Sequence, residues 1–487
     1  MKLNKILENI EYEVVQGNMD IDIKDISYDC RRVKCGTLFV CILGLKMDGH
    51  DYIMDAVSNG ALAVVIQNDV SNLPKNTTVI RVSDIRTSLP IISSTFYEDP
   101  SRSMDLIGIT GTNGKTSVAF IISSILESAQ RKTGLIGTIE NRIGNKVLDV
   151  IRTTPTTPES LELQLLLKKM KDENVSDVVM EVSSMALELH RVEGLDFEVG
   201  VFTNLSQDHL DDHKTFENYK NAKMKLFKMC KNAIINIDDS TANEIIKNCN
   251  CNVITYGIEN KADIIAKDIK ISSNGVTFTI NFKENEYIVN LKIPGKFSVY
   301  NALSAVAACH CLGLSIEQIV EGLEQIHGVK GRFQTIQAEL GYSVIIDYAH
   351  TPNAIENVLN TIIEFKKSKV ITVFGCGGNR DNTKRPIMGE IAGKLSDFCI
   401  ITSDNPRNEE PAQIIKDVED GIKKTGCSYT VVEDRKEAIL FALENAQNKD
   451  VILIAGKGHE NYQIIKDKVI PFDDAQIVSQ YLEQIRM

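Results

Sequence analysis

Ten consecutive residues, Gly108-Ile-Thr-Gly-Thr-Asn-Gly-Lys-Thr-Ser117, bring three glycines, a lysine and several hydroxyls into one short turn. The turn lies between the apolar run 106–109 and the helix-like run 118–126. A strand, a glycine turn and a helix start make a phosphate cradle, because backbone N–H groups and the positive helix end face the anion. Lys115 can reach terminal phosphates, and the Thr116 hydroxyl can ligate Mg²⁺. The strict phosphate-loop pattern G-x-x-x-x-G-K-S/T is not met, since Ile109 stands where its first glycine belongs. The alternative is an ordinary glycine-rich strand–helix turn. It leaves a lysine and two hydroxyls aimed into the turn unexplained, so nucleotide binding is the reading adopted.

Three further stretches can complete such a site. Met180-Glu-Val-Ser-Ser184 places Glu181 at the end of an apolar strand. Leu205-Ser-Gln-Asp-His-Leu-Asp-Asp-His213 follows another, and Ala222-Lys-Met-Lys225 lies in the next helix. Phosphoryl transfer needs oxygen or imidazole ligands that place Mg²⁺ between phosphates and acceptor. Glu181 and His209 supply them. Taken singly, Glu181 also reads as a helix cap and His209 as a loop histidine. By composition, Lys223 reads as one exposed charge beside Lys220, Lys225 and Lys228.

The elements that must hold these residues fall into three segments: 1–100, 101–327 and 328–487. In the first, 38–43, 61–66 and 79–82 read as strands and 52–58 as a helix. The polar cluster 98–103 reads as a linker. In the second, strands at 106–109, 178–182, 199–203, 233–237 and 253–256 alternate with helices such as 160–169 and 216–228. That spacing implies a mostly parallel sheet covered by helices. Short runs over 264–293 suggest an antiparallel patch, and 301–312 a small-residue helix. In the third, strands at 344–347, 370–374, 398–402 and 451–455 alternate with helices at 354–367, 412–424 and 436–446. Its strand ends carry polar sequences, where ligands sit in open α/β sheets. The expected fold is α/β in three domains, with a central phosphate-loop parallel-sheet ATPase-like domain and a C-terminal Rossmann-like domain.

A chain of 487 residues is long enough for about three domains. A formal charge of −12 argues against a nucleic-acid partner. No run approaches the length of a membrane span, and no signal peptide is apparent. Eleven scattered cysteines without a C-x-x-C pair read as free thiols in a reducing cytoplasm.

The phosphate loop at 111–116 resembles G-T-N-G-K-S/T of the Mur ligases, which are ATP-dependent amide-forming enzymes of peptidoglycan synthesis and so of cell shape and division. Glu181–Ser184 resembles their E-V/A-S-S, and 204–213 their N-I/L-x-x-D-H-L-D-x-H. The resemblance implies that Gly111, Thr112, Asn113, Gly114, Lys115, Thr116 and Ser117 hold ATP. It implies that Thr116, Glu181, His209 and a CO₂-carbamylated Lys223 hold Mg²⁺, with Lys115, His209 and Lys223 as catalytic residues. Lys292-Ile-Pro-Gly-Lys-Phe-Ser-Val-Tyr-Asn-Ala302 resembles G-x-F-N-x-x-N-A, with Ser298 in place of Asn, and brings Asn301 to the adenine. Gly328-Val-Lys-Gly-Arg-Phe-Gln334 resembles G-V-x-G-R-x-E, with Gln334 in place of Glu, and turns Arg332 to the phosphates. Asp347-Tyr-Ala-His-Thr-Pro352 resembles D-Y-A-H-x-P, which assigns Asp347 to the ribose and His350 to the phosphates. The resemblance puts the ATP site between the second and third segments, assembled by closure.

The same likeness bears on the acceptor. Tyr28-Asp-Cys-Arg-Arg-Val-Lys-Cys-Gly-Thr-Leu-Phe-Val40 is similar to D-S-R-x-V-x-x-G-x-L-F-V of the branch whose first domain holds a uridine diphosphate. Tyr28 and Cys30 would contact it, with Cys30 in place of Ser. Folylpolyglutamate synthetases, relatives of the family, lack this domain. Thr156-Thr-Pro-Glu-Ser-Leu-Glu-Leu-Gln164 is similar to T-T-P-x-x-x-x-L-Q. It implies that Thr156, Thr157, Ser183 and Arg191 hold the muramoyl-L-Ala-D-Glu part, although Arg191 alone also reads as a surface arginine. Ser403-Asp-Asn-Pro-Arg-Asn-Glu-Glu-Pro411 resembles D-N-P-R-x-E-x-P of the members that add meso-diaminopimelate. Asp404, Asn405, Pro406 and Arg407 would bind that amino acid, Arg407 through the second carboxylate that lysine lacks. Arg380 would bind its other end, with Asn379 in place of Asp nearby, and Gly456 and Glu460 complete the site.

The expectation is therefore an ATP- and Mg²⁺-dependent ligase, a cytoplasmic monomer. It would join meso-diaminopimelate to the D-Glu γ-carboxylate of UDP-N-acetylmuramoyl-L-alanyl-D-glutamate through an acyl phosphate. The alternative within the class is the same reaction with L-lysine. The alternative outside it is a non-catalytic uridine-nucleotide sensor with ATP-gated closure.

Overall fold

The computed structural model describes residues 1–44, 47–71, 75–150, 153–206, 210–283, 285–338 and 340–485. The chain forms two compact units. One comprises Met1–Ile264 with Leu303–Ile319, the other Ile265–Ala302 with Val320–Met487.

The first unit holds two sheets with separate cores. The N-terminal sheet runs in the order Glu13–Gln16, Thr78–Arg81, Ala61–Ile66, Thr37–Val40, Asp25–Ser27. Within residues 98–103, expected as a linker, Pro100–Ser103 form a 3-10 turn. There Pro100 fixes the first position and Asp99 takes a left-handed φ of 44°.

The central sheet runs Asn252–Gly257, Cys230–Asn236, Phe197–Phe202, Asp105–Thr110, Asp177–Glu181, Thr133–Ile136. These six strands are parallel, and Asn141–Ile143 and Lys146–Val147 extend the sheet antiparallel. Asp177–Glu181 is buried throughout, as a parallel strand covered on both faces must be. The strand carrying the glycine turn is flanked by Asp177–Glu181 and Phe197–Phe202. Whatever follows those two strands therefore opens beside the turn. The helix Lys115–Ser128 starts from Gly114 in a left-handed conformation, φ 87°. It buries Val118, Ile121, Ile122, Ile125 and Leu126, each worth about 1.5–3 kcal/mol of apolar burial. The expected helix 216–228 stops earlier, at Phe216–Met224, and tightens into the 3-10 turn Lys225–Lys228.

The second unit carries the antiparallel pair Gly275–Phe282 and Asn285–Leu291. Its main sheet runs Gln334–Gln337, Ser343–Asp347, Val451–Ala455, Val370–Phe374, Phe398–Ile401, Ser428–Val431. All but the first are parallel. The strand of this sheet that comes last in sequence, Val451–Ala455, inserts between Ser343–Asp347 and Val370–Phe374. That reversal opens a crevice at the strand ends, the usual ligand position in such sheets. The hairpin Tyr462–Ile465 and Lys468–Pro471 and the helix Asp474–Ile485 follow.

Candidate active site

In the first unit the glycine turn is held by the chain that follows Phe197–Phe202. Thr112 N donates to Asn204 O (2.8 Å) and Asn113 N to Asn204 Oδ1 (3.0 Å). Asn204 Nδ2 donates back to Asn113 O at 3.1 Å. The backbone can approach this closely because Gly111, at φ +149°, has no Cβ. One would sit 1.9 Å from Thr203 Oγ1. Lys115 Nζ folds onto Gly111 O (2.7 Å) and Thr112 O (2.8 Å). Ser117 stands in the first turn of the helix behind it.

Glu181 is 1 % exposed. Its Oε2 accepts from the Thr116 hydroxyl (3.0 Å) and the Thr138 hydroxyl (2.9 Å), and its Oε1 from Thr138 N (2.7 Å). The carboxylate is thus aimed at the loop and is no helix cap. Two buried hard oxygens in contact suit Mg²⁺ and leave room for phosphate oxygens as further ligands. Among the described residues no three His, Cys, Asp or Glu side chains form a metal group by themselves. His209 lies outside the described residues. His213 Nε2 lies 2.9 Å from Ser184 Oγ, joining the two motifs on either side of the loop.

Lys223 departs from the exposed reading that composition favours, being 2 % exposed. Its Nζ donates to Gly111 O at 2.9 Å and lies 4.5 Å from the centre of the Tyr219 ring. Tyr219 OH in turn lies 3.0 Å from Thr112 Oγ1. Lys115 and Lys223 therefore converge on one carbonyl oxygen.

The threonines expected at the acceptor lie beside Glu181 and Thr138. Thr157 Oγ1 donates to Glu181 O (2.9 Å) and lies 3.3 Å from Ser183 Oγ, and Thr156 Oγ1 is 3.0 Å from Thr138 Oγ1. Ser183 also caps the following short helix through Ala186 N. Arg191 Nε pairs with Glu159 Oε1 (2.5 Å) and its Nη1 donates to Thr157 O (3.2 Å). It is therefore tethered, not a loose surface arginine. Glu159 Oε2 takes Arg86 of the N-terminal sheet region at 2.9 Å. Tyr28 OH donates to Glu162 Oε1 (2.5 Å) and lies 3.0 Å from Thr153 Oγ1. Burial, then the Glu162 charge, push the Tyr28 hydroxyl well above its ordinary range, so it stays the donor. Burial likewise raises the Glu162 carboxyl. Cys30 opens the 3-10 turn Cys30–Arg32 and receives Asn59 Nδ2 on its carbonyl.

In the second unit the strand ends meet. Both oxygens of Asp347 accept backbone N–H groups, from Ala349 and Phe333, each at 2.7 Å. Burial pushes that carboxyl up, while the Arg332 charge and the two donors pull it down. Arg332 lies 4.7 Å over the Tyr348 ring, and His350 Nδ1 is 2.8 Å from Tyr348 O. Asn301 is 7 % exposed on the helix Lys296–Cys311. Gly456 N donates to Asp347 O (3.1 Å). A Cβ on Gly456 would lie 2.6 Å from Asp404 Oδ2. Asn405 Nδ2 donates to Glu460 Oε2 at 2.9 Å. Arg407, in a left-handed conformation after Pro406, sends Nη1 to Gly378 O (2.9 Å) and Asn405 O (3.4 Å). Its Nε and Nη2 have no hydrogen-bond partner among the described residues. Arg380 is exposed nearby.

Sequence reasoning gave no role to Thr138, Asn204 or Lys457. Asn204 opens the motif at 204–213, and Lys457 stands between Gly456 and Glu460. Thr138, beyond the strand Thr133–Ile136, carried no signal at all.

Profiles of three domains match this chain: "Mur ligase family, catalytic domain" over 22–97, "Mur ligase middle domain" over 109–309 and "Mur ligase, glutamate ligase domain" over 331–458. The chain belongs to the Mur ligase family. It is 50% identical over 485 residues to a UDP-N-acetylmuramoyl-L-alanyl-D-glutamate–2,6-diaminopimelate ligase of Caldanaerobacter subterraneus, covering 99% of each chain. It is 50% identical over 489 residues to the protein of that name from Clostridium botulinum, covering 100% of each. A solved structure of a ligase of the same name superposes with TM-score 0.72 at 32% identity, covering 100% of this chain and 99% of the other.

Proposed function

We infer that the chain is an ATP-dependent ligase of peptidoglycan synthesis. It joins meso-2,6-diaminopimelate to the D-Glu γ-carboxylate of UDP-N-acetylmuramoyl-L-alanyl-D-glutamate. The observation that carries the choice of amino acid is the pairing at Asn405. Arg407, with an open guanidinium edge, and the Glu460 carboxylate both hydrogen-bond to Asn405, offering a partner for a carboxylate and one for an ammonium. Lysine has no second carboxylate for that edge, and the full-length relatives bear the diaminopimelate name.

In the reaction, a γ-carboxylate oxygen attacks the terminal phosphorus of ATP, and the bond to ADP breaks. The amine then attacks the acyl carbon, loses a proton, and phosphate leaves. The loop N–H groups and Lys115 bind the phosphates and hold the charge that spreads over the transferring oxygens. Thr156, Thr157, Ser183 and Arg191 orient the acceptor, with Tyr28 and Cys30 toward its uridine end. Asn301, Arg332, Asp347 and His350 serve the nucleotide, and Arg380, Asp404, Pro406 and Gly456 frame the amino acid. Thr116, Glu181, His209 and carbamylated Lys223 would hold Mg²⁺, which would supply positive charge to the phosphate oxygens. Carbamylation is supported by two ammonium groups meeting on Gly111 O. Converting one to an anion replaces repulsion by attraction. Eleven thiols, none in a disulfide, suit a reducing cytoplasm.

Acceptor labelled with ¹⁸O in the γ-carboxylate tests the acyl phosphate. One label per turnover should appear in inorganic phosphate, and unlabelled phosphate would refute the step.

A further inference from the structure

Lys457 is 0 % exposed, so it touches no substrate. Yet it sits between two residues assigned to the amino acid, Gly456 and Glu460. Its Nζ donates to Asn405 Oδ1 (3.0 Å) and to Glu460 Oε2 (3.2 Å). Asn405 Oδ1 also accepts Ile464 N at 2.9 Å, which fills both its lone pairs. That fixes the amide the one way round that sends Nδ2 to Glu460 Oε2. Glu460 Oε2 then carries two donors, while Oε1 has no hydrogen-bond partner among the described residues. Glu460 keeps 14 % side-chain exposure, enough to meet a ligand. The turn is locked in this pose: Gly456 and Gly458 have φ of 115° and 53°. A Cβ on Gly458 would lie 2.6 Å from Gly331 O.

We propose that Lys457 is a positioning residue for amino-acid specificity, acting through Asn405 and Glu460 to present Glu460 Oε1 to the ammonium of the incoming amino acid. The proposal rests on the amino-acid site described above. Removing the buried ammonium takes one of two donors from both Asn405 Oδ1 and Glu460 Oε2, so Glu460 is held less firmly in its direction while the phosphate loop is untouched.

The test is steady-state kinetics on the full-length protein with Lys457→Met, Lys457→Gln, Glu460→Gln and the Lys457→Met/Glu460→Gln double variant. KM for meso-diaminopimelate should rise about 10- to 100-fold in Lys457→Met, the worth of hydrogen bonds to charged groups. KM for ATP and for the UDP-linked acceptor should stay at parent values, and kcat should fall far less than KM rises. On the Glu460→Gln background the same change should add little, because the two act as a unit. Lys457→Gln, which keeps a donor toward Asn405, should recover part of the loss. Equal shifts in all three KM values, full additivity in the cycle, or failure of both Lys457 variants to fold would overturn the positioning role. A parent that ligates a different amino acid would refute the substrate reading alone, and the same comparison is then made with that amino acid. A parent that ligates none refutes the function and this proposal together.

Discussion

Replacing Arg407 by alanine should change which amino acid is used more than whether the protein folds. The loop is anchored by its backbone: Arg407 N donates to Ile464 O (3.1 Å) and Lys466 N to Arg407 O (2.7 Å). The side chain adds the bond from Nη1 to Gly378 O, so stability should drop only about 0.5–1.5 kcal/mol. The open Nε–Nη2 edge is what a carboxylate would take, side-on and bidentate. Truncating one side of such a pair costs about 2–5 kcal/mol. Arg407 is half-buried, and water weakens the pair, which points to about 2–3 kcal/mol. That corresponds to roughly 30- to 150-fold in kcat/KM for meso-diaminopimelate. Any residual use of L-lysine should barely move. Arg407→Gly relieves the φ of 52° and should show the same specificity loss as alanine, separating side chain from backbone. The assay is kcat/KM for both amino acids with thermal unfolding alongside. An unchanged ratio, or a ratio that recovers in the glycine variant, would refute the reasoning.

Three further outcomes are expected. Lys223→Ala should be inactive and partly rescued by short carboxylic acids, read as ADP release; no rescue at any concentration would argue against a carbamate. Gly137→Ala places a Cβ 2.5 Å from Glu181 Oε1. It should raise the Mg²⁺ concentration needed for half-maximal ADP formation, with a melting temperature near that of the parent. Arg435 and Asp474, both 0 % exposed, pair at 2.9 and 2.8 Å. Arg435→Met should therefore lose about 3–5 kcal/mol in denaturant unfolding, because it strands a buried carboxylate.

The parallel strands were legible because each is a short apolar run closed by a polar strand end. Ala61–Ile66, Val370–Phe374 and Val451–Ala455 match their expected limits. The helix Ile85–Phe96 carries Pro90 in its interior, against local helix propensity, and tertiary burial of Ile85, Leu89 and Ile92 overrides that. The hairpin Tyr462–Ile465 and Lys468–Pro471 has no apolar alternation, its second strand being exposed throughout. It matters, because its Ile464 N fixes Asn405. The placement of the glycine turn between a strand and a helix, and of Glu181 at a strand end, followed from the spacing of apolar and polar residues. That of Lys223 did not: its burial comes from Tyr219 and the folded loop, which no local pattern encodes. Thr138 reaches Glu181 only because Thr133–Ile136 lies beside Asp177–Glu181 in the sheet.

The most direct test of the central claim is a single end-point reaction. Purified protein is incubated with ATP, Mg²⁺, UDP-N-acetylmuramoyl-L-alanyl-D-glutamate and an equimolar mixture of meso-diaminopimelate and L-lysine, and the nucleotide product is weighed by mass spectrometry. The expected result is the diaminopimelate adduct formed in step with ADP. A lysine adduct as the main product, or ADP release without any adduct, would contradict the account.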